Sequence, residues 1–82
     1  MEQIYCVYYR NSNIYSMNPR IIGYYTDLNI AEKHLRKIRK LYREKKYIAR
    51  YKSDTKTLVV KDVATYTIKP HEVNKIEIFN IE

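Results

Sequence analysis

The chain has 82 residues, with 16 Lys and Arg against 9 Asp and Glu, a formal net charge of +7 and one cysteine. This length predicts a single domain, residues 1–82, and one cysteine excludes an intramolecular disulfide. No apolar run approaches the roughly 18–20 residues that span a bilayer. The start, MEQIYCVYY, lacks the basic stretch and small-residue cleavage site of a signal peptide. We therefore expect a cytoplasmic protein that does not bind membranes, with acidic partners favoured by its charge.

The first part of the chain predicts two strands joined by a loop. Residues 3–9 (QIYCVYY) are β-branched and aromatic, and both faces of this strand are apolar or aromatic. Residues 10–19 are rich in Asn, Ser and Pro, which is typical of a loop. Residues 20–26 form the second predicted strand. Gly23 in its middle indicates either a bulge or a close packing point against a helix.

Residues 27–46 predict an amphipathic helix. Asp27 is the expected N-cap, and Glu32 is placed in the first turn, where a carboxylate suits the helix dipole. Apolar residues recur at steps of three and four and so share one side of the helix: Leu28, Ala31, Leu35, Ile38 and Tyr42.

The other sides of this helix are strongly basic. Only Glu44 opposes the cations between Lys33 and Lys46, so the face stays positive. A solvated helix face is one interpretation, and a surface that binds a polyanion is the other. The eight cations are Lys33, Arg36, Lys37, Arg39, Lys40, Arg43, Lys45 and Lys46.

The rest of the chain predicts short strands. Residues 47–52 and 57–63 form a hairpin through the polar turn 53–56, although the helix could instead continue through 51. Residues 64–69 alternate again, Pro70-His71 is predicted to end that strand, and 75–81 alternate once more. We therefore expect an α+β fold: a small, mostly antiparallel sheet of four to six short strands, in the order ββα and then ββ(ββ), with one basic amphipathic helix on one face. The uncovered face predicts either a homodimer or a flat binding platform.

The sequence offers no assembled catalytic machinery. It lacks a nucleophile motif, zinc-ligand spacing and a glycine-rich phosphate loop, so we predict no catalytic residue, metal site or cofactor. His34 lies at the margin of the apolar stripe, and His71 could act as a general acid or base. In size and composition the chain is similar to small messenger-cleaving toxins of the RelE type, which implies metal-independent RNA cleavage as a further alternative.

The predicted site is a nucleic-acid interface. The cations would follow a phosphate backbone, and two tyrosines would either stack on unpaired bases, which favours RNA, or pack into the core. The residues assigned to this interface are Lys33, Arg36, Lys37, Arg39, Lys40, Arg43, Lys46, Arg50, Lys52, Tyr47 and Tyr51.

The chain has ten tyrosines, one glycine and abundant lysine, and it begins with a strand. In this character it resembles small accessory and counter-defence proteins of bacteriophages and other viruses with AT-rich genomes. The resemblance implies an RNA-binding factor that inhibits a host component in the host cytoplasm. The alternative is an inhibitor that binds a host defence enzyme or toxin through the exposed sheet face, without touching nucleic acid.

Overall fold

A computed structural model describes residues 3–13 and 18–72. The fold is α+β, as predicted, with a single helix packed on one five-stranded sheet. The predicted strand 75–81, and Ile14, Tyr15 and Met17 of the predicted loop, lie outside the described residues. The elements are β1 (Gln3–Asn11), β2 (Arg20–Tyr25), α1 (Leu28–Glu44), β3 (Ala49–Lys52), β4 (Thr57–Val60) and β5 (Ala64–Glu72).

The first strand lies inside the sheet. The strand order is β2-β1-β5-β4-β3, and every pair of neighbours is antiparallel. β1 pairs with β5 along its whole length, from Gln3 opposite Glu72 to Asn11 opposite Ala64. This position gives β1 a neighbouring strand on each side. On one face Val7 packs into the core with Ala31 and Leu35 of α1, and on the other face Cys6 is also fully buried, which accounts for apolar residues on both faces.

The predicted irregularity at Gly23 is present. Val7 pairs with Gly23 but Tyr8 pairs with Ile21, so Ile22 is the extra residue of a β-bulge. A methyl group on Gly23 would lie only 2.9 Å from Cε2 of Tyr25. The glycine therefore lets the Tyr25 ring fold back over the strand, where its hydroxyl hydrogen-bonds Nδ1 of His34 on α1.

The helix begins and packs as its sequence predicts. Oδ1 of Asp27 accepts a 2.8 Å hydrogen bond from the Asn29 amide and so caps the N-terminus. Ala31 and Leu35 are fully buried against the sheet. α1 ends at Glu44, two residues before the predicted end. The buried sheet residues of this core are Val7, Ala49, Leu58, Val60, Ala64, Tyr66 and Ile68.

The chain after the helix is a strand, and the alternative of a longer helix is wrong. Lys46 adopts a φ of 72°, in the left-handed region, which turns the chain out of the helix. Ala49 then joins the core as a strand residue. The hairpin turn 53–56 is confirmed, with Lys56 at φ 54°, and β4 ends at Val60 because Asp62, at φ 63°, turns the chain into β5.

The prediction that Pro70-His71 ends the last strand is wrong, because β5 continues to Glu72. The Ile68 amide points toward the β4 side, where it donates to the Lys56 carbonyl at 3.0 Å. Pro70, two residues later, points the same way, but the pairing with β4 has already stopped at Thr67. Proline therefore loses no ladder hydrogen bond at this position.

Candidate nucleic-acid interface

Six of the predicted helix cations lie on α1, turned away from its buried side, and Lys45 and Lys46 follow the end of the helix. Arg39 is half-buried and the others are exposed. The buried Ala31 and Leu35 anchor the opposite side to the sheet, so the cations are carried on a fixed element. We call the following set the basic helix face: Lys33, Arg36, Lys37, Arg39, Lys40, Arg43 and Lys46.

The basic helix face has no paired carboxylates. Within residues 3–13 and 18–72, the one ion pair joins Nζ of Lys56 to Oε2 of Glu32, at 3.5 Å. Like charges four positions apart, such as Lys33 and Lys37, destabilise a helix by a few tenths of a kcal/mol per pair. The packing of the apolar side offsets that cost, and the outward field stays positive.

Glu32 does not have the role predicted for it. It lies beyond the first turn, which contains no acidic residue, and it is buried rather than exposed to the helix dipole. Its Oε2 accepts a 2.7 Å hydrogen bond from the Tyr51 hydroxyl. That bond, with the nearby Lys56, holds the pKa of Glu32 below its usual range, while burial opposes the shift.

Tyr51 is therefore engaged within the protein. Burial, together with the hydrogen bond to the Glu32 carboxylate, raises the pKa of Tyr51 to about 12. The guanidinium of Arg36 lies 5.8 Å from the centre of the Tyr51 ring. The Tyr51 side chain is half-buried and its hydroxyl is occupied by Glu32, as the core-packing alternative expects.

Tyr47 is placed differently. Its side chain is 45% exposed at the end of the helix, next to Lys46. Its ring meets Tyr42 edge to face, with centroids 5.6 Å apart, and the Tyr42 hydroxyl is hydrogen-bonded to that of Tyr66 at 2.9 Å. Tyr47 is thus an exposed ring, held by its contact with Tyr42, at one end of the basic helix face.

Arg50 and Lys52 do not extend the basic helix face. Ala49 and Tyr51 of β3 point toward α1, where Ala49 is in the core and Tyr51 bonds Glu32. Alternation along the strand sends Arg50 and Lys52 to the other side of the sheet. The predicted cations therefore form two groups on opposite faces. We call the side of the sheet that points away from α1 the open sheet face.

The open sheet face also carries a cluster that the sequence did not reveal. The Tyr8 hydroxyl and Nε2 of His71 share a hydrogen bond of 2.5 Å, and Nζ of Lys69 lies 5.4 Å from the centre of the Tyr8 ring. Burial, with Cys6 and Tyr24 nearby, raises the pKa of Tyr8. Alternation along β1 indicated which face Tyr8 occupies. It did not indicate that the pairing of β1 with β5 brings in His71, 63 positions away.

The one cysteine lies inside the sheet. Cys6 is fully buried in β1, and burial raises the pKa of its thiol, so it stays protonated at neutral pH. Within the described part of the chain, His, Cys, Asp and Glu form no group of three or more that could hold a metal ion. The same residues include no helix that is both long and apolar enough to cross a membrane.

The geometry thus provides two groups of cations, one on α1 and one on the open sheet face, with aromatic rings beside each. Unpaired cations at fixed positions bind anions, and adjacent rings extend this to anions that carry bases. Comparison of the chain with protein-family models, with curated protein sequences and with solved structures found no match.

Proposed function

We propose that this protein binds nucleic acid, RNA in preference, through the basic helix face. The observation that supports this is a set of seven cations, six on the anchored helix α1 and Lys46 just after its end. None of the seven forms an ion pair with a residue in the ranges 3–13 and 18–72. Such a surface matches the regular charge of a phosphate backbone, and every phosphate contact releases a counterion. The exposed Tyr47 beside Lys46 adds a ring that can stack on an unpaired base.

The proposal has an electrostatic rationale. Lys33 and Lys37, Arg36 and Lys40, and Arg39 and Arg43 are like-charged pairs four positions apart on α1. Each pair costs the free helix a few tenths of a kcal/mol, and a bound polyanion would relieve that repulsion. If the face is only solvated, nucleic acid should bind this protein no more tightly than it binds any other protein of the same net charge.

The test is binding of the purified protein to labelled single-stranded RNA, duplex RNA and duplex DNA across about 50–200 mM salt. The double variant Lys37→Glu with Lys40→Glu removes two contacts and adds repulsion. We expect it to weaken binding at least tenfold and to reduce the salt slope for single strands by about 0.7 per contact.

The matched control compares two single variants with the same change of charge. Lys37→Glu lies on the basic helix face, whereas Arg20→Glu lies at the start of β2 and is not part of that face. Equal weakening by both variants, or none from the double variant, would refute the proposal. Shortening of the labelled RNA during the assay would favour the alternative of a small ribonuclease.

A protein-binding role is the second candidate, and the edge strand β2 supports it. β2 is first in the strand order, so its outer edge has no partner strand in the described part of the chain. Ile21, Ile22 and Tyr24 are 40%, 45% and 59% exposed. An exposed apolar edge favours pairing with another strand, either of a second copy, giving a homodimer, or of a host protein that is inhibited.

Sedimentation of the protein at micromolar concentration tests the homodimer. A dimer that Ile22→Lys converts to a monomer would support pairing through β2. A monomer in the wild type would remove the homodimer and leave only a foreign partner for this edge. We further propose that the protein inhibits a host factor, which could follow from binding either nucleic acid or a host protein.

A further inference from the structure

Within residues 3–13 and 18–72, the open sheet face carries cations and no carboxylate side chain. The six described carboxylates are placed elsewhere: Asp27 caps α1, Glu32 is buried under Tyr51, Glu44 ends α1, Asp54 and Asp62 lie in turns, and Glu72 shares the α1 side of β5 with Ile68. The cations on or beside the open sheet face are Arg10, Arg50, Lys52, Lys61 and Lys69.

Two shallow depressions on this face adjoin one another. Their common boundary is the cross-strand pair Thr65 and Val59, which belong to β5 and β4. The first depression, of about 280 Å³, is lined by Tyr8, Arg10, Pro19, Thr65, Thr67 and Lys69. The second, of about 310 Å³, is lined by Ile48, Arg50, Lys52, Val59 and Lys61. Together they form a track that crosses β1, β5, β4 and β3. At the usual spacing of strands, the track is about 14 Å long from β1 to β3.

Aromatic rings lie at the β1 end of this track. The Tyr8 ring is held by its hydrogen bond to His71, whose own ring lies 5.7 Å away at an angle of 33°. Tyr24, on the adjacent strand, is 59% exposed. A ring that is already held loses little entropy when a base stacks on it, and each stacked base contributes about 1–3 kcal/mol.

The charge of the face selects among possible occupants. A second copy of this chain would bring the same cations against these, so face-to-face dimerisation is electrostatically unfavourable. The carboxylates of an acidic peptide would satisfy the cations, but they would leave the rings of Tyr8, His71 and Tyr24 without a stacking partner. A single strand of nucleic acid provides phosphates for the cations and unpaired bases for the rings.

We propose that the open sheet face is a second binding surface, which takes unpaired nucleotides of a single-stranded nucleic acid. Tyr24 and the Tyr8–His71 pair stack on bases, and Arg10 and Lys69 bind the neighbouring phosphates. The strand then passes Thr65 and Thr67 toward Arg50 and Lys52. This proposal does not depend on the basic helix face, which lies on the other side of the sheet.

The experiment measures the affinity of the full chain for a labelled oligouridylate of about ten nucleotides, the matching oligothymidylate, and an RNA duplex. We expect Tyr24→Ala and Lys69→Glu each to weaken binding of the single strands about tenfold, with little change for the duplex, whose bases are already stacked. Tyr24 is largely exposed, so its replacement should leave thermal unfolding almost unchanged.

Helix variants distinguish the two proposals. If Tyr24→Ala and Lys69→Glu leave single-strand binding unchanged while Lys37→Glu with Lys40→Glu weakens it, the second surface is refuted and the basic helix face stands. If only Tyr24→Ala and Lys69→Glu weaken binding, the second surface stands and the basic helix face is refuted. A protein dimer without nucleic acid that Lys69→Glu dissociates would also overturn the proposal.

Discussion

The Tyr51 hydroxyl and the Lys56 ammonium converge on one oxygen of Glu32, at 2.7 Å and 3.5 Å. The carboxylate is thereby held on the sheet side of α1, although the same helix carries the cations. A second carboxylate on the outer side, in addition to the exposed Glu44, would neutralise part of the basic helix face. The contact therefore links β3 to the helix and also keeps the one buried acid of α1 away from the basic helix face.

Removing the Tyr51 hydroxyl should destabilise the protein. Tyr51→Phe leaves the buried Glu32 carboxylate without its hydrogen-bond donor, and we expect a loss of about 1–2 kcal/mol in the free energy of unfolding in urea. Tyr47→Phe is the control, because the Tyr47 side chain is exposed; its effect should stay within about 0.5 kcal/mol. Equal effects of the two variants would contradict a structural role for the Tyr51 hydroxyl.

The stability of the protein should fall in acid because of Glu32. Its folded-state pKa lies below the ordinary value of 4.5, chiefly through the Tyr51 hydrogen bond. The Glu32 carboxyl of the unfolded chain therefore binds a proton more tightly than that of the folded chain. The contribution of Glu32 to the free energy of unfolding is complete above pH 4.5 and is lost as the pH falls through the folded-state pKa. Urea midpoints from about pH 6 down to pH 3 should decline less steeply in Glu32→Gln than in the wild type. Parallel declines would show that other carboxylates are responsible.

Gly23 and Tyr25 should be energetically coupled. Gly23→Ala places a methyl group against the Tyr25 ring, so we expect about 1 kcal/mol of destabilisation in the wild type. In a Tyr25→Ala background the clash is absent, and the same change should be neutral or stabilising, since glycine weakens a strand. A double-mutant cycle measured by urea unfolding gives the coupling energy directly. Additive effects would mean that the ring does not lie over Gly23.

Charge reversal on α1 should raise the stability of the folded protein while it weakens the proposed binding of nucleic acid. Lys37→Glu replaces the repulsion from Lys33 and Lys40 with attraction, and we expect a gain of a few tenths of a kcal/mol at low salt. The gain should shrink near 1 M salt, where the Debye length is about 3 Å. Thermal unfolding measures this gain in stability. Lys37→Gln removes the repulsion without adding attraction, so its stability should lie between those of the wild type and Lys37→Glu. A less stable Lys37→Glu would show that Lys37 makes a stabilising contact.

Local signals in the sequence predicted much of the fold. The apolar spacing and the Asp27 cap defined the helix, and composition defined β1, β2 and the hairpin turn at 53–56. The prediction at Pro70 failed because the tolerance of proline depends on where the neighbouring β4 ends, which is a property of the sheet and not of the local segment.

The candidate site was predictable only in part. The helix cations follow from the helical period, since each position fixes its own side of α1. Arg50 and Lys52 lie on the opposite face from the helix cations because Tyr51, between them in β3, points toward α1. The contact of Tyr51 with Glu32 shows this orientation, and the sequence of the strand does not. The Tyr8–His71 pair depends on pairing between distant strands, for which a single sequence carries no signal.

The interior position of β1 also bears on how the chain is made. β1 is the first of the described strands to be synthesised and β5 the last, and Tyr8 and His71 are 63 positions apart. At about 5–20 residues per second, β1 waits several seconds with one long edge bare, and a bare edge invites pairing with other chains. The cations of α1 are synthesised within that interval. Repulsion between the cations of different chains disfavours such pairing during that interval.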